Sequence, residues 1–173
     1  MSRLIFIEGT DGTGKTSVAN GIVEALKAKG LSAIRIPIIE GSAAGKDYRN
    51  QYVSGKTIPA TEALGMLYSV ATTLKDVVYP ATKIYDVVIV DRSLASFFAY
   101  QIKTNGYGWI HAAFYEVVHS LFAGETIYLQ VSPEIGHQRM VAGRKVLDVV
   151  ESKGPEYQRK VAEAYTKCFE LNE

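Results

Sequence analysis

The chain has little cysteine, little net charge and no long apolar run. Cys168 is the single cysteine among 173 residues, which excludes an internal disulfide framework and is typical of a reducing compartment. The formal net charge is +1, so no overall field attracts nucleic acid or an anionic membrane. No apolar run reaches the length of a membrane span, and the apolar start is too short for a signal peptide. We therefore expect a cytoplasmic protein without nucleic-acid or membrane partners.

What is present is the composition of an ordinary globular domain. Hydrophobic residues make up 47% and charged residues 21% of the chain, and its length suits one domain with a sizeable core. Internal repeats, low-complexity stretches and linker-like segments are not found. The sequence therefore predicts a single domain over residues 1–173.

Short apolar runs alternate with helical periodicity along the chain. The predicted strands are 3–7, 32–36, 87–90 and 126–131. The predicted helices are 15–29, 61–78, 94–102, 108–123, one opening at Pro133 and one over about 155–170, and 40–50 is a loop that leads into a helix. This alternation predicts parallel strands joined by right-handed crossovers, with helices on both faces. We expect a three-layer α/β/α fold whose parallel central sheet has four strands, a fifth being the open alternative.

A glycine-rich segment follows the first predicted strand. Residues 9–16 match G-x-x-x-x-G-K-[ST], a pattern whose glycines let backbone amides approach phosphate oxygens at the start of a helix. Lys15 is suited to the β- and γ-phosphates, and the Thr16 hydroxyl to Mg²⁺. The alternative is a glycine-rich turn that binds nothing. The pattern predicts an ATP site of the P-loop type, made of Gly9, Thr10, Asp11, Gly12, Thr13, Gly14, Lys15, Thr16 and Ser17.

An aspartate follows the most apolar predicted strand. Asp91 comes directly after Val87-Val-Ile-Val90, at the carboxyl end of a strand in a sheet that begins with a phosphate loop. That is the usual position of an acidic residue near Mg²⁺. A helix cap is the alternative, and the two roles can coexist. We therefore predict Thr16 and Asp91 as metal ligands.

Three segments in series resemble the thymidylate kinase family. Residues 6–16 resemble its phosphate loop with an internal aspartate, and residues 126–136 are similar to its fourth strand and the following turn. Asp91-Arg92-Ser93, followed by Ala99-Tyr100-Gln101, looks like its aspartate–arginine and alanine–tyrosine–glutamine motifs. A weaker match is Arg35-Ile-Pro37. The resemblance covers nearly the whole chain and implies transfer of the ATP γ-phosphoryl group to a nucleoside monophosphate, in the first place dTMP.

The resemblance also implies roles for residues beyond the phosphate loop. It makes Lys15, Asp91 and Arg92 catalytic, with Arg92 holding the acceptor phosphate and Arg35 assisting. Asp11 would face the acceptor sugar and accept from its 3′-hydroxyl. The alternatives are a surface ion pair for Arg92 and an exposed strand-end charge for Arg35.

Four further positions correspond to groups around the acceptor nucleoside. Tyr68 takes the place of an aromatic ring that stacks on the base, and Tyr100 that of a ring that crowds the sugar's 2′ position. Plain core packing is the alternative for both. Thr72 stands where the family carries a base-reading arginine, and Phe97 where it often carries a polar residue. These two departures weaken the expectation of strict thymine selectivity.

The resemblance places an arginine-bearing lid at residues 137–153. In this family the catalytic arginine lies either in the phosphate loop or in the lid, and Gly12 occupies the loop position here. Arg144 is therefore the first candidate and Arg139 the second. A solvated charged helix face is the alternative.

Three questions stay open at the level of sequence. A deoxynucleoside monophosphate kinase of broader base choice and a non-catalytic P-loop nucleotide-binding protein are the competing functions. The chain ends soon after the lid helix, whereas the family usually continues into a fifth strand, so we expect either a compact variant or a piece of a longer protein. The apolar segment 109–122 predicts a homodimer interface, with core packing as the alternative.

Overall fold

A computed structural model describes residues 2–54, 59–106, 124–143 and 147–170 of the chain. Four strands form one fully parallel sheet in the order β2-β3-β1-β4: β1 (Arg3–Glu8), β2 (Ala33–Pro37), β3 (Val87–Asp91) and β4 (Glu125–Tyr128). The predicted α/β fold with a four-stranded parallel sheet is confirmed. The fourth strand ends at Tyr128, earlier than the predicted 131, because Pro133 opens the next helix after a short irregular stretch.

Helices connect the strands in the predicted order, except that a helix begins at Ala43, within the segment 40–50 that was predicted as a loop. They are α1 (Lys15–Ala28), α2 (Ala43–Val53), α3 (Pro59–Thr73), α4 (Leu94–Phe97), α5 (Pro133–Gly143) and α6 (Gly154–Glu170). The helix that begins with α3 runs on through a π-helical stretch, Leu74–Val78, to Tyr79–Ala81. In the same way α4 runs on as a π-helical stretch, Phe98–Thr104, and a 3₁₀ turn, Glu151–Lys153, precedes α6. The predicted helix 108–123 lies outside the described residues.

The two faces of the sheet bury alternate side chains of the same strands. Val87 and Ile89 of β3 pack with Ala19 and Val23 of α1 on one face. The neighbouring Val88 and Val90 belong to the cluster on the other face, whose helical members are Val70, Leu74, Val78 and Ala81. Because successive strand residues point to opposite faces, the four apolar residues of β3 cover both sides at once. The sheet is therefore the middle of three layers.

The carboxyl ends of β1 and β3 bring the functional segments together. Ile7 of β1 pairs with Asp91 of β3, so the loop after Glu8 and the residues after Asp91 leave adjacent strands at the same edge. Ligands of open parallel sheets bind at this edge. No helix among the described residues is long and apolar enough to cross a membrane.

Candidate active site

The phosphate loop holds its lysine in a buried position. Gly14 caps α1 with φ +92°, a conformation that glycine adopts without strain. Lys15 Nζ donates to Thr10 O at 2.6 Å, and Thr13 Oγ1 donates to the same carbonyl at 2.9 Å. The Lys15 side chain is only 7% exposed. Burial, with the charge of Arg92 acting in the same direction, lowers the pKa of Lys15 to about 7.

The two predicted metal ligands lie next to each other. Thr16 Oγ1 donates to Asp91 Oδ2 at 2.8 Å. Arg35 Nη2 and Nε donate to the same carboxylate oxygen at 2.6 and 3.0 Å. Arg35, which the sequence analysis assigned to the acceptor phosphate, therefore neutralises Asp91 in this structure.

The donor set of Thr16 and Asp91 fits Mg²⁺. Both offer hard oxygen atoms beside the phosphate loop, and Mg²⁺ is commonly held by one or two such groups together with substrate phosphates and water. The described residues contain no cluster of three or more His, Cys, Asp and Glu side chains that could hold a metal alone. A magnesium ion at this place would share Asp91 with, or take it from, the Arg35 guanidinium.

Arg92 and Asp11 form the centre of a second buried network. Arg92 Nη2 donates to Asp11 Oδ1, and the guanidinium lies 5.2 Å from the centre of the Tyr100 ring. Tyr100 OH and Gln158 Nε2 donate to the other carboxylate oxygen of Asp11 at 3.0 and 3.1 Å. Burial alone would raise the pKa of Asp11, but Arg92 and Lys15 outweigh it and lower the pKa to about 2. Asp11 is therefore held as a carboxylate.

Gln158 is a member of this network that the sequence analysis did not assign. Its Oε1 accepts from the backbone amide of Asp11 at 3.2 Å while its Nε2 donates to the Asp11 carboxylate. One buried side chain of α6 thus holds both the backbone and the side chain of the loop residue. A signal was available in the sequence, because Gln158 lies next to Tyr157 on the helix face that was predicted to be buried.

Arg92 has a strained backbone that its neighbours hold in place. Its φ of 73° is the one positive value at a non-glycine residue in the described chain, a conformation that costs of the order of 1 kcal/mol or more. Its amide donates to Ile7 O at 2.9 Å. Glu8, which is fully buried, accepts from the amide and hydroxyl of Ser93, both at 2.6 Å, and from the hydroxyl of Ser96 at 2.7 Å. The Glu8 carboxylate therefore orients the turn that presents Arg92.

The predicted lid approaches the phosphate loop through a pair of glycines. A Cβ on Gly12 would collide with the carbonyl oxygen of Gly136 in α5, and one on Gly136 would lie 2.7 Å from Asp11 O. This contact explains physically why position 12 carries no side chain here. Arg139 of α5 is exposed and lies in the wall of a cavity that the phosphate loop also lines. Arg144, the first candidate for the catalytic arginine, lies outside the described residues.

A cavity of about 590 Å³ joins these groups. One end, the phosphate end, is formed by the phosphate loop and α1 together with Asp91 and Arg92. The other, the acceptor end, is lined by side chains from α2, α3 and the π-helical stretch: Tyr52, Met66, Tyr100 and Gln101. π-Helical turns often occur at functional sites, and here the stretch Phe98–Thr104 carries Tyr100 and Gln101. Tyr52, Met66 and Gln101 were not assigned from the sequence.

The structure brings most, not all, of the predicted residues to this cavity. Asp11, Gly12, Gly14, Lys15, Thr16 and Ser17 line it, as do Arg35, Asp91, Arg92, Tyr100 and Arg139. Gly9, Thr10 and Thr13 lie behind them, where the two threonines contact Lys15.

Three predicted acceptor residues, Tyr68, Thr72 and Phe97, are not part of the described cavity wall. The Tyr68 side chain is 61% exposed, and Phe97 is buried in a cluster with Ala63 and Leu67. Thr72 Oγ1 donates to Tyr68 O at 2.9 Å. Met66 lines the cavity instead of Tyr68, because two residues are about 200° apart around a helix and face opposite ways. The base-stacking role assigned to Tyr68 is not supported by this position.

Fold and site together define a class of protein. A phosphate loop between β1 and α1, with a carboxylate at the end of the neighbouring β3, is the arrangement of a P-loop phosphotransferase. The sequence model of the family described as Thymidylate kinase matches residues 7–173. The chain belongs to the thymidylate kinase family, and the predicted resemblance is confirmed.

Individual relatives cover almost all of the chain. A protein of Mycoplasmopsis agalactiae named Thymidylate kinase is 30% identical over 180 residues, covering 97% of this chain and 82% of its own length. Proteins of the same name from two strains of Staphylococcus epidermidis are 29% identical over 175 residues, covering 99% of this chain and 86% of their own. The expectation that the chain is a phosphotransferase of this kind is confirmed.

Proposed function

We propose that the chain transfers the γ-phosphoryl group of ATP to the 5′-phosphate of dTMP, giving dTDP. The observation that carries the proposal is a cavity of about 590 Å³, which has a phosphate loop at one end and the Arg92–Asp11 pair beside it. Its volume lies in the range of small-molecule sites, and donor and acceptor groups line the same cavity. The names of the relatives support dTMP as the acceptor.

The donor half of the reaction rests on the phosphate loop. Lys15 has a flexible stem and a point charge, so it can leave the Thr10 carbonyl for the β- and γ-phosphates of ATP. Phosphate charge beside the ammonium favours its protonated form and offsets the burial that lowers its pKa. Mg²⁺, held by Thr16 and Asp91, would neutralise negative charge that develops on the phosphates.

The acceptor half rests on the second network. Arg92 has a fork of donors suited to a monophosphate, and Ser96 and Asp11 hold it from two sides. The Asp11 carboxylate stays ionised and is available as an acceptor for a sugar hydroxyl. The Tyr100 ring lies against Arg92 and narrows the space next to it. No covalent enzyme intermediate is needed, because phosphoryl transfer is accelerated by positioning and charge neutralisation.

The lid is proposed to complete the site from residues 137–153. Arg139 is already in the cavity wall, and Asp148 Oδ2 accepts from Arg49 Nη2 of α2 at 2.7 Å. That ion pair joins the segment after α5 to the acceptor side of the cavity. Arg144 and Arg139 stay the two candidates for the catalytic arginine.

The direct test is incubation with ATP and Mg²⁺ and each common nucleoside monophosphate in turn. We expect dTMP to be converted to dTDP with stoichiometric formation of ADP. Binding of ATP without turnover of any monophosphate would contradict the proposal and favour the non-catalytic nucleotide-binding protein. The Lys15→Ala variant is the control for contaminating kinases.

A broader base choice is the second candidate function. The position expected to read the base holds Thr72, whose hydroxyl bonds to Tyr68 O of its own helix and contacts Ser42 Oγ, and which does not line the cavity. We propose that dTMP is accepted with weaker discrimination than an arginine would give. The measurement is kcat/KM for dTMP, dUMP, dCMP and dGMP under one set of conditions. A preference for dTMP above about ten-thousandfold over all three would contradict it, since each lost polar contact changes selectivity about tenfold to a hundredfold.

We also propose a homodimer in the cytoplasm. The dimer rests on the apolar segment 109–122, all of which lies outside the described residues, and on the resemblance. The half-buried Cys168 is the single cysteine of the chain, which is consistent with a reducing compartment. Light scattering coupled to gel filtration tests the assembly, and a monomer at micromolar concentration would contradict it.

A further inference from the structure

Tyr52 carries a buried hydroxyl that no group in the described chain satisfies. The residue is 3% exposed, it lines the acceptor end of the cavity, and its OH has no hydrogen-bond partner. Leaving such a group unpaired is unfavourable, because its hydrogen bonds to water are lost on burial. A buried unpaired donor in a cavity wall therefore points to a ligand.

The neighbouring Tyr48, on the same helix, has a hydroxyl with a hydrogen-bond partner in the protein. The two rings are stacked, with their centres 6.0 Å apart, and both belong to α2. Tyr48 OH donates to Glu62 O at 2.7 Å, so it closes the contact between α2 and α3. The Tyr52 hydroxyl makes no equivalent hydrogen bond in the described chain, although its ring stacks on that of Tyr48. Its hydroxyl is therefore not explained by the packing of α2.

The other polar groups at this end of the cavity are engaged within the protein. Gln101 Nε2 lies 3.4 Å from Glu62 Oε1, and Gln101 Oε1 accepts from Asn105 Nδ2 at 3.1 Å. The guanidinium of Arg49 lies over the Tyr52 ring, 5.6 Å from its centre, and is paired with Asp148 at 2.7 Å. Among the residues that the structure describes at this end, the Tyr52 hydroxyl is thus the buried polar group that has no partner.

The electrostatics around Tyr52 favour a neutral ligand group. Burial is the main cause that raises the pKa of Tyr52, and the charges of Glu62 and Asp148 raise it further. The phenol therefore stays protonated and able to donate. The same negative surroundings disfavour a phosphate at this point and allow an uncharged base.

We infer that the Tyr52 hydroxyl reads the base of the acceptor nucleotide, donating a hydrogen bond to the C4 carbonyl of thymine, which cytosine replaces with an amine. This inference rests on the proposed function and adds to it a specificity-determining residue. It also supplies the polar base contact that Thr72 does not provide from its place outside the cavity. A site built to make such a bond discriminates against bases that cannot make it.

The test is the Tyr52→Phe variant with Tyr48→Phe as its matched control. Both changes remove one phenolic oxygen from the same helix. For Tyr52→Phe we expect kcat/KM for dTMP to fall about tenfold, the effect of one hydrogen bond to a ligand. We expect its ratio of kcat/KM values for dTMP and dCMP to change at least about fivefold. ATP-analogue affinity is expected to stay unchanged, and the Tm to be equal to or above that of the parent.

Tyr48→Phe is expected to show the reverse pattern. It loses a satisfied bond, so its Tm falls, while the ratio of acceptors stays within about twofold of the parent. Equal loss for every acceptor in Tyr52→Phe would assign the hydroxyl to the sugar or phosphate and overturn the inference, as would no loss at all. A fall in Tm equal to that of Tyr48→Phe would also overturn it, since the hydroxyl would then have a partner in the protein. If the parent protein phosphorylates no monophosphate, the proposed function itself fails, which is a separate result.

Discussion

The two ends of the cavity are built in different ways. The phosphate end takes most of its groups from nine consecutive residues, Gly9 to Ser17, and from the end of one neighbouring strand. The acceptor end takes its groups from α2, α3, the π-helical stretch after α4 and the segment before α6, which lie far apart along the chain. The phosphate end is formed largely by backbone amides and the start of one helix, and the acceptor end is formed by side chains.

This difference predicts how the two ends respond to mutation. The backbone conformation of the phosphate loop depends on residues that are neighbours in sequence. Losing one charged side chain of the loop therefore removes its charge and leaves the backbone conformation in place. A surface assembled from several elements depends on packing, so its side chains affect affinity and choice of ligand in smaller steps. The predictions below test that contrast.

The largest effect is expected at Lys15. Lys15→Ala should lower kcat at least about a hundredfold, the range for loss of one group that stabilises transition-state charge. Lys27→Ala, an exposed change near the end of the same helix, is the control and should leave kcat within about twofold. Steady-state assays with saturating ATP measure both. Parent-like turnover by Lys15→Ala would mean that ATP binds elsewhere.

Arg92 should affect the acceptor and spare the donor. We expect Arg92→Ala to lower kcat/KM for dTMP by about a hundredfold, because a charged contact to a phosphate is lost. The affinity for a fluorescent ATP analogue should change less than about threefold. Since the change also leaves Asp11 buried without its cation, Arg92→Lys is measured alongside as the charge-retaining variant. Equal losses of donor and acceptor affinity would contradict the assignment of Arg92 to the acceptor phosphate.

The Asp11 carboxylate should make stability depend on pH in acid. Its pKa is about 2 in the folded chain against an ordinary 3.8, so its contribution is present above pH 3.8 and is lost as the pH falls towards 2. The full contribution is of the order of 2 kcal/mol. We expect the gap in unfolding free energy between the parent and Asp11→Asn to narrow by about 1 kcal/mol from pH 5 to pH 3. Urea unfolding at each pH measures it, and a constant gap would show that Asp11 is not held by Arg92 and Lys15.

Tyr100 should affect the choice of sugar. Tyr100→Ala is expected to reduce the preference for deoxyribose over ribose acceptors about tenfold, because a ring that excludes a hydroxyl by contact is removed. Tyr100→Phe keeps the ring and loses only the hydroxyl, with its contacts to Asp11 and Gln158, so it should keep the preference. The measurement compares kcat/KM for dTMP and its ribose counterpart. Loss of preference in Tyr100→Phe would transfer the role from the ring to the hydroxyl.

The smallest effect separates Met66 from Tyr68. Met66→Ala removes apolar surface from the cavity wall and should raise KM for dTMP about fivefold. Tyr68→Ala removes an exposed ring outside the described wall, so a change below about twofold is expected. The opposite order would restore Tyr68 as the residue that stacks on the base.

Several features were predictable because their cause is local. The apolar run at 87–90 favours a buried strand and the glycine pattern at 9–16 favours a phosphate loop, each through its own residues. Both elements were located to within a residue. The boundary of β4 was missed by three residues, since a strand end depends on its neighbour β1 as well as on its own residues. The base-stacking role of Tyr68 was taken from the resemblance alone, and only the structure shows that this side chain is exposed and lies outside the described cavity wall.

The sequence by itself determined the strands of the parallel sheet, the phosphate loop and the family. These depend on local pattern and on short motifs in series. Only the tertiary structure decided that Gln158 holds Asp11 across 147 residues, that Glu8 orients Arg92, and that Tyr52 and Met66 form the acceptor end. These contacts join side chains whose separation in sequence carries no signal. They arise when helices pack on both faces of the sheet, and packing is a property of the whole chain.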